Sequence, residues 1–301
     1  MNSIFLAAQD AISQGILWSV MALGIYITYR LLNIADLSVD GTFALGGCTL
    51  AALITAGINP WIALVLAAAA GAAGGLLTGF LHTKCRIPAI LAGILTQLSL
   101  YSINLRIMGR SNLPLIRTDT IFKMISSATG RSQDTAVLTV GLVMALAAIL
   151  LMYWFFGTEI GSAIRATGSN ENMVRSLGVN TNTAKILGLM ISNAFVALSG
   201  ALVTQSQGYA DVKMGTGAIV IGLASIIIGE TMIRKKTNFA IRLMMIVMGS
   251  MIYRIVVAVV LQMGLNTDDL KLFTAILVAV ALSIPVIMEK ASHPQTKNGG
   301  C

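Results

Sequence analysis

Residues 159–180 read EIGSAIRATGSNENMVRSLGVN, a polar stretch punctuated by glycine that separates two long apolar segments. Each flanking segment approaches the roughly 20 apolar residues that a helix needs to cross a membrane. Within the stretch, Asn170 followed by Glu171 predicts a helix start, because Asn is a favoured N-cap and an acid suits the first turn. Gly178 predicts the end of that helix, since glycine readily adopts the left-handed conformation of a C-cap.

The short helix predicted here has one apolar face. Met173, Val174 and Leu177 fall at helical spacing and form a stripe among polar and charged neighbours. A flexible tether between two membrane segments would not need such a stripe. The pattern therefore indicates a short amphipathic helix at a membrane surface that docks into another protein.

The composition identifies the class of protein. Of the 301 residues, 56% are hydrophobic and only 11% are charged, whereas about 25% of the residues of a soluble domain are charged. The chain is therefore predicted to be a polytopic membrane protein. Its net charge of +8 does not indicate a nucleic-acid partner, because the basic residues are mostly scattered at the ends of apolar runs, as in membrane proteins.

Nine apolar runs predict the membrane segments. They lie near 11–32, 42–57, 61–81, 87–105, 136–156, 186–204, 217–233, 239–263 and 272–288. The runs at 42–57 and 217–233 are short for a crossing, and short or interrupted segments are typical of broken helices that line a pathway. Gly71, Gly75 and Gly79 recur at every fourth residue and predict a close helix–helix contact, either within the subunit or across a dimer.

Basic residues set the predicted orientation. The densest cluster, residues 234–236, is placed in the cytoplasm together with the 159–180 stretch. The 106–134 loop, with five basic residues, then lies outside and argues against the assignment. Residues 1–290 are predicted to form a single transmembrane domain and residues 291–301 a short cytoplasmic tail. The side of the N-terminus stays open.

The polar stretch also carries a resemblance to a known family. The pattern is Gly161-x-x-x-Arg165-Ala166-x-Gly168-x-Asn170, then Leu177-Gly178-Val179-Asn180, Lys185 and a span containing Ser192 and residues 197–202. It resembles the cytoplasmic coupling loop of ABC importer permeases, in particular those for branched-chain amino acids and simple sugars, and the resemblance covers most of the chain. In that family the loop places a short helix in a groove of the ATPase subunit and transmits its closure.

The resemblance implies a fold and a set of coupling residues. The expected fold is an all-α polytopic membrane protein with about eight to ten transmembrane or half-transmembrane helices and a cytoplasmic coupling helix within loop 158–185. The residues implied in coupling to the ATPase are Gly161, Arg165, Ala166, Gly168, Asn170, Glu171, Leu177 and Gly178.

The resemblance also implies the partners. The chain would be the permease subunit of an ABC importer in the bacterial plasma membrane, moving a small solute delivered by an extracytoplasmic binding protein. A separate ATPase subunit would bind ATP and Mg, so this chain would need no cofactor and would not be an enzyme. A second permease subunit, in a homodimer, and membrane lipid are the other expected partners. Residues 33–41, NIADLSVDG, resemble a subgroup described as aromatic or branched-chain amino acid importers, which suggests an amino acid or a related solute.

The same window supplies candidates for the translocation path. Asn33, Asp36, Ser38 and Asp40 lie within a short segment flanked by apolar residues. The acids are either solvated in a plain interfacial loop or part of a broken helix, where unpaired backbone groups and carboxylates are tolerated only beside a cavity or a protein partner.

Polar residues inside predicted spans are further candidates. Thr96, Gln97 and Ser99 are either interhelical hydrogen-bonding groups or part of the lining of a path. Glu230 is either functional or an interfacial acid beside Arg234 and the following lysine. Arg254 lies between apolar neighbours.

Three alternatives remain open for Arg254. It could contact a carboxylate substrate, pair with Asp36 or Asp40, or have a structural role in which its charged end reaches the interface.

Several chemistries are missing from the sequence. No phosphate-binding loop of the Walker type occurs, so ATP hydrolysis by that route is excluded. His82 and His293 are far apart, no Cys/His cluster has metal-ligand spacing, and the three cysteines do not suggest a disulfide framework.

The alternative function is an ion-coupled secondary transporter that uses Asp36, Asp40, Glu230 and Arg254, although the internal repeats expected of one are not evident. A membrane-embedded enzyme ranks third, because no catalytic constellation is recognisable.

Overall fold

The computed structural model describes residues 2–116, 118–130, 132–233, 237–262, 272–276, 278–279 and 283. Apart from one two-stranded ribbon, the elements in these ranges are helices. The helices are α1 (Asn2–Tyr26, continued by a π-helical turn Ile27–Leu31), α2 (Val39–Thr55), α3 (Pro60–Thr83), α4 (Ala89–Met108), α5 (Ile121–Thr129), α6 (Gln133–Phe156), α7 (Glu159–Ser169), α8 (Glu171–Ser176), α9 (Thr181–Gln207), α10 (Ala218–Thr231) and α11 (Phe239–Gln262). The strands are β1 (Asn112–Pro114) and β2 (Tyr209–Asp211), which pair antiparallel.

Within the described ranges, six helices are long and apolar enough to cross a membrane, and α2 and α10 are shorter apolar helices of 17 and 14 residues. These eight helices coincide with eight of the nine predicted runs. The ninth run, 272–288, lies largely outside the described residues, as do the basic cluster at 234–236 and the tail at 291–301. The total of eight to ten crossings therefore stays a prediction.

Helix α9 lies at the centre of the bundle and packs on α1, α2 and α3. The backbones of α9 and α3 lie close together. A Cβ atom added to Gly71 would lie 2.5 Å from the Asn193 carbonyl oxygen, and one added to Gly75 would lie 2.3 Å from the Leu189 carbonyl oxygen. Gly79 faces Ile186 of the same helix. The predicted glycine face thus packs within the chain, which allows the two helices to approach closely.

The two ends of the bundle can be told apart by their connections. The β1–β2 ribbon joins the segment after α4 to the segment after α9, and we call this the ribbon end. Helices α7 and α8 lie between the last turn of α6 and the first turn of α9, at the opposite end, which we call the loop end. Helix α1 runs antiparallel to α9, because the Ser199 hydroxyl donates to Leu17 O and the Ser192 hydroxyl to Gly24 O. The π-helical turn after α1 therefore also lies at the loop end.

Candidate functional site

The local sequence builds the loop end as a helix–turn–helix. Thr158 caps α7 by accepting a hydrogen bond from the Gly161 N–H at 3.3 Å. The predicted helix start at Asn170 is observed, because its side-chain oxygen accepts from the Met173 N–H at 3.0 Å. Helix α8 then ends before Gly178, whose φ of +82° is the left-handed conformation that favours glycine.

A single carboxylate ties α8 to α9. Glu171 accepts from Lys185 Nζ at 2.7 Å, from Arg175 Nη2 at 2.8 Å and from the Thr181 hydroxyl at 3.1 Å. The hydrogen bond from Lys185 is the main reason why the pKa of Glu171 lies below its ordinary value, with further lowering by Thr181 and Arg175. Because Lys185 lies in the first turns of α9, the carboxylate links the short helix to the central helix of the bundle. We call these four residues the Glu171 latch.

The apolar stripe of α8 divides between the inside and the outside. Val174 is buried at 2% exposure, whereas Met173 and Leu177 are exposed at 51% and 71%. The inner residue fixes α8 against the bundle. The two outer residues form a small apolar patch at the loop end, a surface suited to a partner protein.

Helix α7 packs its backbone tightly on the rest of the bundle. A Cβ atom on Gly168 would lie 1.9 Å from the Leu31 carbonyl oxygen, and one on Gly161 would lie 2.2 Å from the Phe155 oxygen. The Arg165 guanidinium lies over the Phe239 ring, 5.2 Å from its centroid. These residues of the predicted coupling set therefore contact α1, α6 and α11, while Ala166 is half-buried on the same helix.

The segment between α1 and α2 folds back into the bundle. Asp36 is 3% exposed, and its carboxylate accepts from the Ser38 N–H at 2.9 Å, from the Ser38 hydroxyl at 2.6 Å and from Asn193 Nδ2 at 2.8 Å. Asn33, at the start of the segment, has a φ of +54°. The burial and full hydrogen bonding of Asp36 support the broken-helix interpretation over the solvated loop. Asn193 was not among the predicted site residues, although an Asn within an apolar span indicates a polar partner.

Asp40 joins the two short apolar helices. Its carboxylate accepts from the Gly217 N–H at 2.9 Å and from the Ile219 N–H at 3.0 Å, and so caps the N-terminus of α10 from the first turn of α2. Gly217 adopts a φ of +85°. A Cβ atom on Gly215 would lie 1.9 Å from the Asp40 carbonyl oxygen. The two broken helices thus hold each other inside the bundle through backbone groups that a continuous helix would satisfy itself.

The polar residues of α4 have different surroundings. Thr96 is buried and 3.0 Å from the Thr78 hydroxyl, which makes it an interhelical contact. Gln97 and Asp40 line a cavity of about 360 Å³. Ser99 lies on the exposed side of α4 and donates to its own helix at Leu95 O.

The remaining candidates lie away from that cavity. Glu230, at the end of α10, forms a salt bridge with Arg30 at the end of α1, while the neighbours predicted for it at 234 and 235 lie outside the described residues. The Arg254 guanidinium lies 4.1 Å from the centroid of the Trp18 ring. The described residues show no salt bridge between Arg254 and Asp36 or Asp40, whose carboxylates have other partners.

Comparison with known proteins identifies the family. The family model described as "Branched-chain amino acid transport system / permease component" matches residues 8–283. The chain belongs to this permease family. It is the permease subunit of an ABC importer and a multi-pass plasma-membrane protein, and the family implies an ATPase and a binding protein as partners.

Two relatives and one solved structure are similar to this permease. A tyrosine transport system permease protein of Clostridioides difficile (strain R20291) is 40% identical over 91% of this chain and 90% of its own length. The ribose import permease protein RbsC of Escherichia coli (strain K12) is 27% identical over 71% of this chain and 65% of its own length. A chain of the structure "PsaBC from Streptococcus pneumoniae in complex with Fab" matches with a TM-score of 0.51 and 15% identity, covering 91% of this chain and 89% of that one, which supports the fold alone.

Proposed function

We propose that this permease imports an amino acid or a closely related small solute as a homodimer. An extracytoplasmic binding protein delivers the solute, and a separate ATPase subunit that holds ATP and Mg supplies the energy, so the permease carries out no chemistry of its own. The observation that supports the substrate class is the 40% identity, over nearly the full length, with a tyrosine transport permease.

The proposed path runs along α4, at the contact with the second subunit. Among the six long helices that the described ranges contain, α4 is the least buried, with only 28% of its most apolar stretch covered by the chain. It is also the least apolar of the six, and it exposes Ser99 and Ser102. Most exposed positions of α4, such as Leu95 and Leu98, are apolar, and the hydroxyls of Ser99 and Ser102 interrupt this surface. We place the path at these hydroxyls, beside the cavity that Gln97 and Asp40 line.

The proposed coupling begins at α8 and uses the contacts described above. Met173 and Leu177 would sit on the ATPase, and closure of the ATPase would move α8. The Glu171 latch would pass that displacement to α9, whose Asn193 holds Asp36. Because Gly168 contacts the backbone at Leu31, α7 would move the same folded-back segment from its other side.

The test is Glu171→Gln in the complete importer, with Glu159→Gln as the matched control. Glu159 is an exposed acid at the start of α7, outside the latch. We expect Glu171→Gln to lower uptake by about fivefold or more, the lower end of typical coupling between sites, while the ATPase still copurifies and hydrolyses ATP. Uptake that stays at the wild-type level in Glu171→Gln would refute the coupling role. Equal losses in both variants would point to a general charge effect instead.

A further inference from the structure

A basic cavity lies at the loop end. It occupies about 690 Å³ between the turn that links α3 to α4 and the segment that links α8 to α9. Arg86, Arg175 and Lys185 line it, together with His82. No carboxylate is among its described lining residues, and the nearby Glu171 is already engaged by Arg175 and Lys185.

Arg86 is the residue whose role the coupling proposal leaves unexplained. It makes no hydrogen bond or ion pair within the described ranges, and its φ is +55°. Arg86 and Asn33 are the two non-glycine residues of the described chain with a positive φ, and Asn33 lines the adjoining cavity, which shares His82 and Lys185 with this one. Uncommon backbone conformations of this kind cluster at ligand-binding positions.

The turn that carries Arg86 is held by its own hydrogen bonds. The Ile87 N–H donates to Leu81 O at 3.2 Å, and His82 Nδ1 lies 3.0 Å from Ile87 O. Arg86 therefore lies on a fixed turn at the cavity. The cavity also borders the N-terminus of the 27-residue helix α9, whose dipole adds positive potential. Its first free N–H groups are already capped by Asn180, so an anion there would bind the side chains.

The position of the cavity along the helices indicates what kind of anion can reach it. It lies at the loop end of the bundle, beside the turn that connects the apolar helices α3 and α4. Phe80 lies at the end of α3, close to the turn, and is exposed at 50%. A phospholipid whose acyl chains cover this side chain would place its headgroup at the level of Arg86. Free phosphate on the loop-end side would reach the same cations.

We propose that this cavity is a binding site for a phosphate group, contributed by an anionic phospholipid headgroup or by free phosphate. Arginine and lysine are the side chains that recognise phosphate, through charge and hydrogen bonds together. Two of the three cations also form the Glu171 latch, so a bound phosphate would compete with Glu171 for Arg175 and Lys185. That competition would make the latch sensitive to phosphate, a consequence that rests on the proposed coupling function, whereas the binding itself does not.

The experiment compares Arg86→Asn with Lys84→Asn in the full-length permease. Asn tolerates a positive φ, so the first variant removes the guanidinium without straining the turn. Lys84 is an exposed cation two residues away that does not line the cavity, and it has an ordinary helical conformation. Retention of phosphatidylglycerol against phosphatidylcholine is measured by native mass spectrometry, and binding of radiolabelled inorganic phosphate is measured by equilibrium dialysis.

We expect wild-type protein and Lys84→Asn to bind at least one of the two probes, and Arg86→Asn to bind it about tenfold more weakly, as for the loss of one hydrogen bond to a charged group. If Arg86→Asn weakens the binding of phosphatidylglycerol alone, the ligand is a lipid headgroup. If it weakens the binding of inorganic phosphate, the ligand is the free ion. Failure of both probes to bind wild-type protein, or equal losses in the two variants, would overturn the proposal. Either result would leave the Glu171→Gln test of coupling unaffected.

Discussion

Replacing Asp40 tests whether this carboxylate is a structural cap. In the structure its two oxygens accept from the N–H groups of Gly217 and Ile219 at the start of α10. Asp40→Ala removes both hydrogen bonds, and because the donors are half-buried, each loss costs about the net value of a hydrogen bond, roughly 0.5–1.5 kcal/mol. The variant should therefore lose roughly 1–3 kcal/mol of stability. Asp40→Asn keeps one acceptor oxygen, so its expected loss is about half as large.

The assay is the thermal midpoint of the purified importer in detergent, followed by ATP-driven uptake after reconstitution. We expect the midpoints to fall in the order wild type, Asp40→Asn, Asp40→Ala, with measurable uptake in the Asn variant. If transport required the negative charge of Asp40, Asp40→Asn would abolish uptake as fully as Asp40→Ala, even though the Asp40→Asn protein is folded. An unchanged midpoint in Asp40→Ala would refute the capping argument directly.

Two further predictions concern helix packing and the latch. Gly75→Ala should destabilise the bundle by about 1–3 kcal/mol, because its Cβ would meet Leu189 O at 2.3 Å, whereas the neighbouring Gly74→Ala, with 3.5 Å to its nearest atom, should be nearly neutral in the same thermal assay. The pKa of Glu171 is lowered chiefly by Lys185, so the latch contributes fully above the ordinary glutamate value of about 4.3 and is lost as the pH falls through the lower folded value. Hydrogen exchange in α8, corrected for intrinsic rates, should accelerate over that acidic interval in wild type and show no such step in Glu171→Gln.

The features that sequence analysis predicted correctly are local ones. Apolar runs located eight helices, because a segment in lipid must satisfy its backbone internally and is therefore helical. The cap at Asn170 and the stop at Gly178 were also predicted, since each depends on one residue and its immediate neighbours. The spacing of glycines on α3 predicted a tight contact but could not name α9 as the partner.

The features that were missed depend on distant segments meeting. Glu230 binds Arg30, which lies 200 residues earlier, and nothing near position 230 indicates which cation is close in space. The same holds for Asp36, whose partner Asn193 lies 157 residues away. A charge or an amide in an apolar run indicates that a partner exists. Only the packing of α1, α9 and α10 determines which residue it is.

The partners of Asp36 and Asp40 also argue against coupling to an ion gradient. A carboxylate that carries an ion must exchange its ligands during each transport cycle. Asp36 is held by Ser38 and Asn193, and Asp40 by the backbone of α10. The bond from Asn193 joins the Asp36 segment to α9, and the bonds from α10 join that helix to α2, so releasing them would separate elements of the fold. We therefore interpret the acids as structural links that hold the folded-back segments together, and in the proposed coupling the energy for moving them would enter at α8, which exposes Met173.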